Sequence, residues 1–466
     1  MRSWRRMVSW WWLGLCVGLP LTGFSLGPHE VVVLVNESSA RSIAVAKTYA
    51  RMRDIPPVNL VRLALPWKEG QVPLRISPEE FTQFIWKPAR RDVQSRRLEP
   101  QILAWVYSVD FPVAVGTAPV VSLTGLTFLR NHMPTRVEAD DVKYVSPLFA
   151  GPAVNGTMRE SRSFDVCRDE LGPAMPLPAM MLGFAGERGN TPDVILAGLE
   201  HARQADATYP RGTVYFVTNS DIRSTCRQWQ FEAVVRELDT VQVHAVITNQ
   251  VPSGANDLMG VMMGVADVQP FALGVVFRPG CMAEHLTSYG AVFDDPRQAK
   301  ISAWVAAGAS LTAGAVVEPR SIWQKFPHAR FFVHYARGAT GIESFYQSVR
   351  CPLQLLMLGD PLVAPWKSSD GRVALNRSLS VIQRDQPLEV APRIEKTARN
   401  YQRMMYLMDG VRVGEGPRMA WPAGALPEGP HTLRVVAYGG GQVRPQIFGE
   451  FRFQVAGAQP RKEQGK

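Results

Sequence analysis

The feature that most constrains this chain is a repeated alternation. Short, continuously apolar runs are followed by amphipathic segments that open on helix caps. The first run is Val31 to Val35, bounded by Asn36. A valine-rich stretch without polar alternation suits a strand buried on both faces, as in a parallel sheet covered by helices. Ser38 or Ser39 then caps a helix running to about Arg53, with Ile43, Ala46, Ala50 and Met52 near one face. Ile55-Pro56-Pro57 ends it, and Val58 to Leu63 reads as the next strand. Parallel strands need a crossover of this kind, so the unit predicts a parallel sheet.

The pattern recurs. Ser77-Pro78-Glu79-Glu80 is a helix start with a cap, a proline in the first turn and early acids. Ile102 to Tyr107, Met180 to Phe184, Gly212 to Val217, Val241 to Ile247, Ser310 to Val317 and Leu353 to Leu358 read as strands. Asn190 or Thr191, followed by Pro192 and Asp193, starts a helix to about Ala205, and helices are also expected over Trp229 to Leu238 and Arg297 to Ala307. Residues 28–367 are therefore expected to form one α/β domain, a three-layer fold around a mostly parallel sheet. The character changes after Trp366. Residues 368–400 read as a linker and first strand region. Residues 401–456 read as the rest of a small β-sandwich, immunoglobulin-like in outline, with a tight Asp409-Gly410 turn. The tail, 457–466, is polar and reads as disordered.

The N-terminus gives a compartment. Arg2, Arg5 and Arg6 precede a short apolar core from Trp10 to Leu21, and Gly23, Ser25 and Gly27 offer small residues for cleavage. Residues 1–25 read as a secretory signal peptide, cut after Ser25 or Gly27. The apolar core is short for a spanning helix. Membrane contact is thus expected only through this segment if it stays uncleaved, and the mature chain is expected in the periplasm or outside the cell. The net charge is +10, of which those three arginines supply three. The remainder is spread thinly, which argues against a nucleic-acid partner. Cys167, Cys226, Cys281 and Cys351 lie far apart and could be two disulfides or four buried thiols. Neither C-x-x-C nor HExxH occurs, so no metal and no cofactor is expected.

Several strand ends carry candidate chemistry. Phe277 to Gly290 packs Cys281, Glu284, His285 and Ser288 after an apolar stretch. Carboxyl ends of strands are where open α/β sheets bind ligands. If 281–286 were helical, Cys281 and His285 would share a face, four residues apart, as a thiolate–imidazolium pair. Cys281, His285 and Ser288 are the candidate catalytic residues on that reading. Gly183 to Thr191 has the spacing G-x-x-G-x-x-G, opens a helix, and offers Arg188 and Asn190 to a ligand. Asp221 and Arg223 follow another strand and read as a local cap or a polar binding pair. Glu318 before Pro319, and Asp360 before Pro361, end two more and could line a cleft or cap a turn.

Taken together, Val31–Asn36, Leu123–Leu126, Gly183–Thr191, Thr218–Arg223, Pro279–Gly290, Gly314–Pro319, Lys325–Pro327 and Leu355–Pro361 resemble a family of exported bacterial proteins. That family occurs in genomes carrying the exosortase protein-sorting system, and no activity can be carried over from it. The order of Ala299–Ala307, Ser310–Val317, Phe331–Ser348 and Leu353–Pro361 is also similar to gingipain- and caspase-like peptidases. The His-Gly dipeptide of those enzymes is missing here, and Met262-Met263-Gly264 stands where it would fall. The resemblances imply an exported envelope protein that binds peptide, protein or glycan in connection with protein sorting. The alternative is an atypical cysteine- or serine-type hydrolase centred on residues 280–290.

Overall fold

The computed structural model describes residues 25–135, 143–152, 158–368, 371–376, 379–397 and 399–457. The expected signal peptide, apart from Ser25, and the tail beyond Gly457 lie outside the described residues. Ten strands form one sheet: β1 (Val31–Asn36), β2 (Leu60–Leu63), β3 (Ala104–Tyr107), β4 (Ala179–Met181), β5 (Thr213–Val217), β6 (His244–Thr248), β7 (Leu258–Gly264), β8 (Phe277–Leu286), β9 (Leu311–Ala315) and β10 (Leu355–Gly359). Their order is β2-β1-β3-β4-β10-β9-β8-β7-β5-β6. The pairs β1–β2, β1–β3, β3–β4, β5–β6, β5–β7, β7–β8 and β8–β9 run parallel. Strand β10 runs antiparallel to β9.

The valine run behaves as its composition requires. Val31, Val33 and Val35 enter one apolar layer, while Val32 and Leu34 enter the other. The first layer holds side chains of α1 (Ala40–Met52) and of the later helices named below. The second holds α2 (Lys87–Ser95) with the π-helical turn Phe81–Trp86 before it, and α3 (Leu123–Phe128). Helices α4 (Phe164–Leu171), α5 (Pro192–Arg203), α7 (Phe231–Thr240), α9 (Phe331–Ala336) and α10 (Gly341–Ser348) pack on the first layer. The short α6 (Ile222–Thr225) precedes α7, and α8 (Ser302–Ala307) covers the other face of β7 and β8 through Trp304.

The caps read from the sequence are in place. Ser39 accepts from Ser42 N at the start of α1, and Thr191 accepts from Val194 N at the start of α5. Ser77 and Glu80 form a capping box. Among the described residues no disulfide joins Cys167, Cys226, Cys281 and Cys351, which answers the disulfide alternative.

Residues 368–400, expected as a linker and first strand region, carry four strands among the described residues. Strands occur at Arg372–Leu375, Val381–Gln383 (β11), Pro387–Val390 and Pro392–Glu395. The remaining strands are β12 (Tyr401–Met408), β13 (Val411–Glu415), Met419–Pro422, β14 (Gly429–Gly439) and β15 (Gln446–Ala456). They build a five-stranded sheet, β11-β15-β14-β12-β13, and two two-stranded sheets around their own core. Asp409 and Gly410 take φ of 50° and 85°, the left-handed pair that a two-residue hairpin turn needs. This C-terminal module docks through polar contacts. Gln446 donates to Ser25 O at 2.6 Å, Ser163 N donates to Gln442 O at 2.8 Å, and Arg444 pairs with Asp165 and Asp169. Ser25 is fully buried and its hydroxyl donates to Glu343.

Candidate functional site

A crevice lies outside the carboxyl ends of β1, β3 and β4. Chain order turns back between β1 and β3, the kind of switch point where open α/β sheets bind ligands. A cavity of about 230 Å³ opens there, lined by Arg41, Gly70, Val72, Leu74, Asp110, Phe111, Phe184, Ala185, Gly186, Glu187, Phe293 and Asp294. Phe184, from the glycine-rich loop after β4, stacks on Phe293, from the loop after β8, with centroids 3.8 Å apart and planes 14° apart.

Arg41 is the polar centre of this crevice. Its Nε donates to Asp110 Oδ2 at 2.6 Å, its Nη2 donates to Asp110 Oδ1, and Nη2 also reaches Ala185 O at 2.9 Å. The hydrogen bonds from Arg41 to Asp110 raise the guanidinium above its ordinary value. Asp110 is buried and takes φ 62°, a left-handed conformation that is uncommon for any residue but glycine. Strain of this kind persists only where surrounding contacts enforce it. Here Ser39 also donates to Asp110 Oδ2, and Asn36 Nδ2 donates to Asp110 O at 2.9 Å. Glu69 accepts from Arg41 N at 3.0 Å, and that bond lowers its carboxyl from the ordinary value. Two carboxylates therefore occupy the N-terminus of α1, where backbone N–H groups favour negative charge.

The other half of the sheet repeats this switch point without repeating its cavity lining. At the end of β1, Asn36 N donates to Ser42 Oγ and Ser38 N donates to Asn36 Oδ1. At the end of β5, Asn219 N donates to Ser224 Oγ and Asp221 N donates to Asn219 Oδ1. Asn36 Nδ2 reaches Asp110 O after β3, and Asn219 Nδ2 reaches Gly264 O at the end of β7. The matching residues are Asn36, Ser39, Arg41 and Ser42 against Asn219, Asp221, Arg223 and Ser224. The two halves thus share one backbone device, and they differ in the arginine. Arg41 crosses to Asp110, whereas Arg223 folds onto its own cap, Asp221.

The residues singled out in the sequence fare unequally. Residues 281–286 are strand, not helix, so the proposed Cys281–His285 geometry does not form. The two lie on one face of β8 about 13 Å apart along the strand. Cys281 is fully buried in the apolar layer, which pushes its thiol well up. His285 is also fully buried, accepts from Trp304 Nε1 at 2.8 Å, and is lowered to about 4 by that burial. Neither is charged near neutral pH. Ser288 lies half-buried in the turn beyond the strand. The structure does not bring these three together.

Glu284 points to the opposite face and pairs with Arg227, both side chains being inaccessible. Burial pushes its carboxyl up to about 7. Arg188 donates to Phe293 O at 2.8 Å and Asn190 to Ser302 O at 3.1 Å, so both tie the glycine-rich loop to the segment after β8. Asp221 caps α6 through Arg223 N. Glu318 accepts from Arg320 N at 2.8 Å within its own turn. Asp360 lies away from the crevice. It is fully buried beside the C-terminal end of α1, accepting from Tyr49 and pairing with Arg53. None of these lines the crevice, although the loop carrying Arg188 and Asn190 supplies Phe184 to Glu187.

Arg41 and Asp110 are the residues that sequence reasoning missed. The available signal was the likeness of Asn36-Glu-Ser-Ser-Ala-Arg-Ser42 to Asn219-Ser-Asp-Ile-Arg-Ser224. Among the described residues no cluster of His, Cys, Asp or Glu could hold a metal ion. No described helix is long and apolar enough to cross a membrane.

No family model matches the chain, and no curated protein matches it significantly. Three solved structures show slight similarity. The fibronectin(III)-like modules of Clostridium thermocellum CbhA are 20% identical over 19% of this chain and 100% of theirs, with a TM-score of 0.16. The N-terminal four Ig domains of Dscam1 isoform 8.4 are 6% identical over 22% of this chain and 24% of that one, with a TM-score of 0.15. The endo-beta-1,4-mannanase from Thermotoga petrophila is 7% identical over 83% and 92%, with a TM-score of 0.16. At such scores these likenesses carry no argument.

Proposed function

We propose that this chain is an exported envelope protein that binds a peptide segment of another envelope protein at the β1/β3 switch point and does not cleave it. The observation that carries this reading is the crevice around Arg41 and Asp110. Its volume suits one residue-sized group. Phe111, Phe184 and Phe293 offer apolar faces, Gly70 and Gly186 let a backbone approach closely, and Arg41 fixes polarity. Ligand sites commonly combine such apolar walls with a few convergent polar groups.

A caspase- or gingipain-like plan for the second half is supported by its order β6-β5-β7-β8-β9-β10 with the last strand reversed. At the end of β7, where such peptidases carry His-Gly, the chain reads Met262-Met263-Gly264, and beyond β8, where they carry cysteine, it reads Thr287-Ser288. Loss of both groups favours binding over hydrolysis. The C-terminal module belongs in this reading as an immunoglobulin-like accessory domain, and the resemblance to exosortase-associated proteins supports a partner among sorted envelope proteins.

The test is an immobilised peptide library probed with the mature protein, with turnover of the same library measured in parallel. Saturable binding that Phe184→Ala and Arg41→Ala each weaken, with no cleavage, is expected. Cleavage abolished by Cys281→Ala, His285→Ala or Ser288→Ala would replace this reading with a hydrolase.

A further inference from the structure

The two edges of the ten-stranded sheet are treated differently. Open edges present unpaired N–H and C=O groups, and natural proteins guard them. Edge strand β2 is guarded. Arg96 Nη1 donates to Val58 O at 2.8 Å and to Leu60 O at 2.9 Å, and Arg62 places a charge on the same strand. Edge strand β6, with the sequence His-Ala-Val-Ile-Thr, has no lysine, arginine or proline. Thr218 N donates to Thr248 O, so Thr248, Val246 and His244 direct their backbone groups toward β5. Alternate residues of a parallel strand bond to opposite neighbours, so Ala245 and Ile247 direct theirs outward. No partner for those outward groups occurs among the described residues.

The side chains around this edge are apolar. Ile247 is 42% exposed. Val246 packs against the apolar layer that also takes Leu273 and Val275, and the same loop leaves Phe271 and Val276 largely exposed. We infer that β6 is a docking edge for an extended peptide, which adds as an eleventh strand through the backbone groups of Ala245 and Ile247. Its alternate apolar or β-branched side chains would rest on Ile247 and Val246, the β-augmentation mode of recognition. A second copy of the chain is a poorer occupant. Five residues span about 17 Å, and so short a strand pair falls below the roughly 1,000 Å² that a stable dimer buries. This inference stands independently of the Arg41 crevice, which lies at the other end of the strand order.

The experiment is fluorescence polarisation of the full mature chain with a labelled Lys-Val-Thr-Val-Thr-Val-Lys peptide. A second probe has the same sequence with alternate residues N-methylated, which removes one backbone edge and keeps the side chains. The parent peptide should bind saturably, and N-methylation should weaken it roughly tenfold or more. Ile247→Lys and Ala245→Pro should weaken it comparably, Ile247→Lys without change in melting temperature. Arg41→Ala should leave it unaffected, which separates this edge from the crevice. Absence of saturable binding, equal binding of the N-methylated probe, or unchanged binding by Ile247→Lys would overturn the proposal. A dimer in sedimentation velocity that Ile247→Lys dissolves would overturn it in favour of self-pairing.

Discussion

Arg227 and Glu284 show how far a residue's setting can depart from its look in the sequence. Glu284 follows Cys281-Met-Ala and precedes His285, a cluster that suggests reactivity. Instead it meets Arg227 at 2.6 Å with both side chains inaccessible, while Arg227 also donates to Met263 O. Removing one member of a buried pair leaves the other uncompensated and typically costs about 3–5 kcal/mol. Arg227→Met is therefore expected to shift the urea midpoint by that order, and Arg227→Met with Glu284→Met should recover most of it. Gly264 gives a second residue-scale outcome. A Cβ there would lie 2.1 Å from Arg223 C and 2.2 Å from Arg223 O, backbone atoms that cannot step aside. Gly264→Ala should cost about 1–3 kcal/mol of stability in the same assay. Neither effect was legible in the sequence, because partners 57 and 41 residues away decide both.

Elements were more legible than sites, for a local reason. Caps and apolar runs act within a few residues, so Ser39, Ser77, Thr191 and the Val31–Val35 strand could be read directly. Strand β8 could not. It pairs with β7 at Phe277 and again from Met282, and the extra residues between them, with Gly280 at φ 82°, bulge out. Arg278-Pro279-Gly280 therefore looks like a turn, and the residues after it look like the start of a helix. Strand direction was equally hidden, since β10 runs antiparallel to β9 and parallel to β4. Helix α10 offers a prediction at this scale. Its capping box uses Glu343, which accepts from Thr340 N and Phe164 N inside the protein, and burial pushes that carboxyl up to about 7. A folded value raised above the ordinary 4.5 means stability that is complete below pH 4.5 and is lost as pH rises through 7. The loss is of order 3 kcal/mol. Glu343→Gln should flatten the fall in melting temperature between pH 5 and pH 8, measured by scanning calorimetry.

Across the whole molecule two sets of buried carboxyl and imidazole groups oppose each other, and their balance bears on the pH of greatest stability. Burial pushes Glu30, Glu284 and Glu343 up to about 7. In the folded state they hold protons that the unfolded chain releases above 4.5, so each favours lower pH through that window. Burial lowers His29, His285, His328 and His334, the last two being also disfavoured by Arg330. The unfolded chain binds protons at these four below 6.5, so each costs stability as pH falls. Between 4.5 and 6.5 the two sets oppose each other, and above 6.5 only the carboxylates of these sets still change. Maximum stability should therefore fall between about pH 4.5 and pH 6.5, with a loss on the acid side below 4.5, where the carboxylates no longer offset the histidines. Glu30 and His29 lie where the two parts of the chain meet. Tyr438 donates to Glu30, His29 bonds Tyr438 at 2.8 Å, and Gln446 donates to Glu30 at 2.9 Å. Ionising Glu30 above pH 7 thus acts on the docking of the C-terminal module as well as on global stability. Limited proteolysis at pH 6.5 and pH 8.5 reads this directly. Faster cleavage near 368–400 at the higher pH is expected in the wild type and should be absent in Glu30→Gln. Arg444→Ala, which removes the bridge to Asp165 and Asp169, should give rapid cleavage at both. A cleavage rate independent of pH in the wild type would mean that ionising Glu30 does not govern the docking of the module.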